Sequence, residues 1–183
     1  IGSEEIPAGY IQPALDAMAA TLEKKLDAAR IAHGGITQYG TPRRLAVIVA
    51  DVAPKQAALS TEVLGPPATI GMDADGKLTM AGEKFAEKVG VPPGRVKVTK
   101  TPKGDYLCAL KTERGLATRN VLKSILPEVV QAVPFPKSMR WADLTITFAR
   151  PIHSIAALYG KSVVTFTVGN VRSNRFTRGH YFM

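Results

Sequence analysis

The chain has 183 residues, 45% hydrophobic and 21% charged, with a formal net charge of +9, a composition suited to one ordinary globular core or two small lobes. No run of 18 uninterrupted apolar residues occurs, and no basic stretch followed by an apolar one opens the sequence, so neither a membrane span nor a secretory signal is expected. Cys108 is the only cysteine, which excludes an internal disulfide and a cysteine-based zinc site and fits a reducing, cytoplasmic setting.

Ile1-Gly2-Ser3 reads as the end of a strand, and with no initiator methionine and an abrupt stop at Met183 the chain is expected to be a piece of something longer. Residues 7–31 predict a helix, because Leu15, Met18, Leu22, Leu26 and Ala29 fall on one face and Gly34-Gly35 stops it. Residues 44–52 and 56–64 predict strands, the second ended by Gly65-Pro66-Pro67. Residues 65–76 are the best candidate for a hinge between lobes. A short amphipathic helix is expected over 79–89, then a hairpin of strands 95–101 and 106–111 around Pro102-Lys103-Gly104-Asp105. Residues 116–133 predict a third helix that Pro127 kinks or divides. Residues 145–148 look extended, and 152–159 with 162–168 form a hairpin about Gly160-Lys161. Helices mixed with hairpins predict an α+β fold: a mixed, largely antiparallel sheet with flanking helices.

Few patterns carry catalytic chemistry. Asp73-Ala74-Asp75-Gly76 opens like a calcium loop, but Leu78 stands where the turn glycine belongs and Lys84 where the bidentate Glu belongs, so it reads as a turn. No phosphate-binding glycine loop, nucleophile elbow or zinc helix occurs, and His33, His153 and His180 lack a carboxylate at ligand spacing. No metal site and no catalytic residue are expected. Glu4-Glu5 reads as a pair of acids favouring a helix start, with a general acid–base role as the unsupported alternative.

Three basic motifs remain. In Thr41-Pro42-Arg43-Arg44-Leu45 the proline restricts the backbone before a strand, so the two arginines are expected to enter the sheet on opposite faces, one as a brace and one toward a partner. In Phe135-Pro136-Lys137-Ser138-Met139-Arg140-Trp141 a loop presents Lys137 and Arg140 beside the only tryptophan; Trp141 can stack on a base or anchor a core. Arg172, Arg175 and Arg178 interleave with Phe176, His180, Tyr181 and Phe182, a surface for phosphate and stacking or a loop that docks on further domains. From Lys137 onward seven Lys and Arg, Arg150 and Lys161 among them, face Asp143 alone, so this last quarter holds +6 of the +9 and points to a polyanion.

The order of Ser3-Glu4-Glu5-Ile6-Pro7-Ala8, Thr41-Pro42-Arg43-Arg44-Leu45-Ala46-Val47, Gly65-Pro66-Pro67, the Phe135 to Trp141 motif, Phe148-Ala149-Arg150-Pro151-Ile152 and Thr177-Arg178-Gly179-His180 resembles the N-terminal region of the β-subunit of bacterial two-subunit glycyl-tRNA synthetase. The resemblance covers essentially the whole chain. It implies a cytoplasmic subunit whose separate α-subunit holds the class II site for glycine and ATP, while the β-subunit contributes tRNA(Gly) binding through this and its remaining domains. It also implies a fold similar to the B3/B4 module of the phenylalanyl-tRNA synthetase β-subunit. The family pattern carries tryptophan near Ser154 and arginine where Tyr181 stands, so those two positions depart from it.

The resulting expectation is a non-catalytic segment, binding no cofactor itself, that supports tRNA binding and assembly. Lys137, Arg140, Trp141, Arg150, Arg172, Arg175, Arg178 and His180 are its candidate tRNA or domain-interface residues, and Arg43 and Arg44 are braces or contacts. The alternatives are a purely structural scaffold and a hydrolytic editing module. Glycine is the smallest amino acid, so steric exclusion leaves little for editing to correct. Burial decides between contact and brace: satisfied internal partners at Arg43, Arg44 and Arg150 mean bracing.

Overall fold

The computed structural model describes residues 1–73, 76–102 and 104–177. In chain order the elements are β1 (Gly2–Ser3), α1 (Ala8–Ala28), β2 (Ile36–Thr41), β3 (Arg44–Val49), β4 (Leu59–Pro67), α2 (Ala68–Gly71), α3 (Met80–Val89), β5 (Val96–Thr101), β6 (Gly104–Glu113), α4 (Thr118–Gln131), β7 (Ile152–Ser154), β8 (Leu158–Tyr159), β9 (Ser162–Val163), β10 (Thr167–Val168) and β11 (Val171–Arg172). Among the described residues every strand pair is antiparallel, and a single parallel bridge joins Ala156 to Asn174. The expected α+β class with a mixed, largely antiparallel sheet is what the chain adopts.

The chain forms two compact units, one of residues 1–57 and 116–183, the other of residues 58–115. Residues 65–76, expected as a hinge, lie within the second unit. Gly65 and Pro66 belong there to packed structure: a Cβ at Gly65 would stand 2.8 Å from the Phe85 ring.

In the first unit a four-stranded sheet runs in the order β2-β3-β1-β7. Leu15, Met18, Leu22 and Leu26 of α1 share a core with Leu45 of β3, Leu122, Ile125 and Val129 of α4, and Phe148. The 3.6-residue spacing of these side chains makes α1 a helix with one apolar stripe, and their burial supplies most of what holds it. Pro127 sits inside α4 without dividing it. Phe135 packs edge-on to Phe148 with ring centroids 4.7 Å apart, fastening the loop after α4 to the core. Residues 145–148 do not form a strand; Phe148 makes only an isolated bridge with Met139. The hairpin about Gly160-Lys161 is present only as β8/β9, two residues on each side; of the expected strands 152–159 and 162–168, Ile152–Ser154 instead pair with β1 and Thr167–Val168 with β11.

β2 has no counterpart among the expected strands. It exists because β3 pairs with it over six residues, from Ile36↔Val49 to Thr41↔Arg44. That register leaves Pro42-Arg43 as a two-residue turn. Arg43 is therefore outside the sheet, and only Arg44 enters it, which corrects the expectation that both arginines lie in the strand on opposite faces.

The first unit is interrupted at a narrow neck. Lys55 bridges Ala117, the Gln56 N–H donates to the Leu116 carbonyl at 3.0 Å, and the Leu116 N–H donates to Gln56 Oε1 at 3.1 Å. Thr118, fully buried, closes the neck: its N–H donates to the Pro54 carbonyl and its hydroxyl to the Ala53 carbonyl.

The second unit is a three-stranded sheet in the order β4-β6-β5 with α3 on one face, where Ala86 and Val89 meet Val96, Leu107 and Ala109. The Thr79 hydroxyl caps α3 and Gly90, at φ 76°, ends it in the left-handed conformation. Helix α3 crosses the short α2 closely: a Cβ at Gly82 would lie 2.3 Å from the Gly71 carbonyl oxygen. On the opposite face Cys108 is buried and its thiol donates to Glu62 Oε1 at 2.8 Å. Burial first, then the Glu62 carboxylate as hydrogen-bond partner, push the thiol pKa above its ordinary value.

Candidate nucleic-acid interface

The basic side chains sort into two classes by what they touch. Arg43 and Arg150 converge on one residue. From the β2/β3 turn, Arg43 reaches the Glu5 carboxylate at 3.3 Å, while Arg150, on the segment before β7, donates through Nε to the Glu5 carbonyl at 3.1 Å and through a terminal nitrogen to the Ala149 carbonyl at 3.3 Å. Beside them His153 meets Glu4 at 2.8 Å. Main-chain bonds hold the same corner, Ile6 N–H donating to the Pro42 carbonyl at 2.7 Å and Glu4 N–H to the Pro151 carbonyl at 3.1 Å. The cluster thus ties the segment before α1 to the β2/β3 turn and to the entry of β7.

Glu4 and Glu5 do not cap α1. The helix begins at Ala8 after Pro7, with no acid in its first turn and no side-chain cap. A two-residue gap and a proline that restricts the backbone carry the acids away from the helix end, toward Arg43 and His153. Sequence spacing could not reveal this, because the partners are about 40 and 145 residues away. Arg44 also has an interaction and is not a free cation. Arg43 and Arg150 thus hold internal partners, although their solvent-facing positions keep the Arg43–Glu5 ion pair weak, in the range of about 0–1 kcal/mol.

The second class is exposed. Lys137 and Arg140 stand on the loop after α4, and Arg172 on β11; all three are exposed and none has a side-chain hydrogen bond or ion pair among the described residues. Arg175 is exposed and among the described residues reaches only the Lys161 carbonyl, at 3.5 Å, which puts the two cationic residues side by side. Next to Arg175, Phe176 is 72% exposed, and its N–H is held by Asn174 Oδ1 at 2.6 Å. Trp141 is half-buried and packs against the first unit's core, which places it as an anchor for the loop that carries Arg140. Met139, between Lys137 and Trp141, lines a shallow depression with Glu5, Arg43 and Arg150, so this loop adjoins the braced corner. No described contact joins it to the Arg172–Arg175 region. Arg178, His180 and Tyr181 lie outside the described residues. Ser154 is on β7, half-buried, with its hydroxyl against Gly2.

Among the described residues no group of three or more His, Cys, Asp or Glu is placed to hold a metal ion, and no helix is long and apolar enough to cross a membrane. What the surface offers is cations unpartnered among the described residues: Lys137 and Arg140 on a loop that the half-buried Phe135 and Trp141 fasten to the core, and Arg172 on β11. Such groups keep their full charge toward solvent and need no rearrangement to meet an anion.

Comparison with known proteins places the chain. The family model described as glycyl-tRNA synthetase beta subunit matches residues 1–183. The chain is similar to the glycine–tRNA ligase beta subunit of Desulfatibacillum aliphaticivorans, 53% identical over all of this chain and 26% of that protein. It is 52% identical to that of Desulforapulum autotrophicum, again over its whole length and 27% of the relative. With the beta subunit of Geotalea uraniireducens the identity is 44%, over the same shares. The chain spans about a quarter of the length of these curated relatives. A match over the whole chain, at this level of identity, shows that the chain belongs to the glycyl-tRNA synthetase beta subunit family, as its N-terminal region.

Proposed function

We propose that this chain is the tRNA-engaging, assembly-supporting N-terminal part of a glycine–tRNA ligase β-subunit, working in the cytoplasm in a complex that joins glycine to tRNA(Gly) at the expense of ATP. The α-subunit is assigned the chemistry with glycine and ATP, and this segment, similar in fold to a B3/B4 module, is assigned none. One observation carries the reading: Lys137, Arg140 and Arg172 are exposed and unpartnered among the described residues, whereas Arg43 and Arg150 are occupied internally. A basic protein that engages RNA through phosphates leaves its contact cations free and commits others to holding the surface in shape.

The scaffold reading has its own support in the Glu5 corner, and the two divide the residues between them. The test uses the complete αβ complex with Lys137→Ala, Arg140→Ala and Arg172→Ala combined. Each lost phosphate contact lowers the steepness of log affinity against log salt by about 0.7–0.9, so tRNA binding by the triple variant should show a slope shallower by about 2–3. Arg150→Ala should leave the slope unchanged. A triple variant with the parent slope overturns the assignment of these cations to RNA.

A further inference from the structure

The first unit gathers a second group of cations from three distant parts of the chain. Arg119, in the first turn of α4, donates through Nε and a terminal nitrogen to the Val163 carbonyl, at 3.3 and 3.0 Å. Arg175, just after Asn174, donates through a terminal nitrogen to the Lys161 carbonyl at 3.5 Å. Lys161 and Val163 are two residues apart, a span of at most about 7 Å, so Arg119, Lys161 and Arg175 meet at the β8/β9 hairpin. All three are exposed.

Their charge is not answered. None of the three forms an ion pair among the described residues, and no Asp or Glu follows Asp143 in the chain. A carbonyl oxygen fixes the direction of a guanidinium without neutralising it. Arginine has five N–H donors, of which Arg119 spends two groups on Val163 and Arg175 one on Lys161, so donors remain for a further acceptor. At the Glu5 corner, by contrast, a carboxylate already meets Arg43. Oriented guanidinium groups with donors to spare are suited to phosphate oxygens.

Beside these cations Phe176 presents an aromatic ring that is 72% exposed. Its main chain is nevertheless held. Asn174 donates its N–H to the Ile155 carbonyl at 2.9 Å, accepts from the Ala157 N–H at 3.0 Å, and through Oδ1 accepts from the Phe176 N–H at 2.6 Å. The ring has no hydrogen-bonding group, so its face is what it offers. A base inside a duplex has both faces covered by its neighbours, whereas an unpaired base has a face to give. An acidic peptide would answer the cations and leave the ring in water. Phosphates and a free base face occur together in single-stranded nucleic acid.

We propose that Arg119, Lys161, Arg175 and Phe176 bind an unpaired segment of tRNA, the cations on its phosphates and one base stacked on the Phe176 ring. The proposal rests on the reading that this chain engages tRNA, and it adds a separate place and the kind of RNA that fits there.

The test uses the complete αβ complex and tRNA(Gly) in salt titrations. Lys161→Ala, whose side chain makes no described bond, should make the slope of log affinity against log salt shallower by about 0.7, and Lys161→Ala with Arg175→Ala by about 1.4, the single-strand value per contact. Phe176→Ala should weaken binding about 5- to 150-fold at an unchanged slope, because a stacked base carries no charge. Phe176→Trp should bind as the parent does. Phe176→Leu should be as weak as Phe176→Ala, since leucine keeps the apolar bulk and lacks the ring face. Parent affinity in Phe176→Leu overturns the stacking and assigns the ring to an apolar protein partner. A parent slope in the Lys161/Arg175 variant overturns the phosphate contacts. The Lys137, Arg140 and Arg172 variant separates the two readings: its shallower slope beside parent-like Lys161 and Phe176 variants sinks this site alone, and parent behaviour in every variant sinks both.

Discussion

Ser173 is the side chain whose removal has the most calculable consequence. It is 3% exposed, its Oγ accepts from the Phe166 N–H at 2.9 Å, and it lies 2.7 Å from the Val164 carbonyl oxygen and 3.2 Å from that of Phe166. One hydroxyl proton serves one carbonyl at a time, and the nearer Val164 oxygen takes it. Ser173→Ala removes that bond and orphans the Phe166 N–H in a residue that is itself buried. An orphaned buried donor costs about 1–3 kcal/mol, and about 2 kcal/mol is expected at this site. The Val164 amide, bonded to the Ala157 carbonyl, and the Ser173 amide, bonded to the Phe166 carbonyl, keep their acceptors in the variant. Their hydrogen exchange therefore reports how readily the β10/β11 region opens. A loss of about 2 kcal/mol speeds it about 30-fold. A change below about twofold would refute the reasoning, because it would mean that Phe166 finds another acceptor at no cost.

Two further outcomes follow from the second unit. Gly82→Ala places a methyl group 2.3 Å from the Gly71 carbonyl oxygen, a main-chain atom that cannot swing aside. It should destabilise the unit by about 1–3 kcal/mol, seen as faster proteolysis or exchange confined to residues 58–115. Cys108, with its thiol pKa raised by burial and by Glu62, should react with iodoacetamide more slowly than a free thiol at pH 7 and gain rate only as pH rises past the ordinary thiol value. Glu62→Gln removes the carboxylate that disfavours the thiolate, so alkylation at fixed pH should accelerate; an unchanged rate would show that burial alone controls the thiol.

Periodicity made α1, α3 and α4 legible in the sequence, because a helix that buries one stripe must repeat its apolar residues every three or four positions. The β5/β6 hairpin was legible from its turn residues. β2 was not: Ile36-Thr37-Gln38-Tyr39-Gly40-Thr41 is largely exposed, so its strand identity comes from pairing with β3 rather than from its own pattern. The unit boundaries escaped for a related reason. They fall at a hydrogen-bonded neck where Pro54 and Gly115 stand singly, while the clustered glycine and proline residues that look like a hinge include Gly65, which serves close packing under Phe85. The basic loops were visible as charge. Which cations are free was not, since Glu5 selects Arg43 and Arg150 through contacts that only the fold creates.

The neck at Lys55–Ala117 also bears on the order in which the chain folds. Closing it directly would draw together the ends of a loop of about 60 flexible residues. Once the second unit has folded, with Leu59 paired to Glu113, those ends already stand side by side and the effective loop shrinks to a few residues. Loop entropy grows as the logarithm of length, so this pre-closure is worth about 2 kcal/mol to the pairing of the flanking halves. The inserted unit thus behaves as a clasp: once it is folded, the two distant parts of the surrounding unit meet as though they were neighbours in sequence.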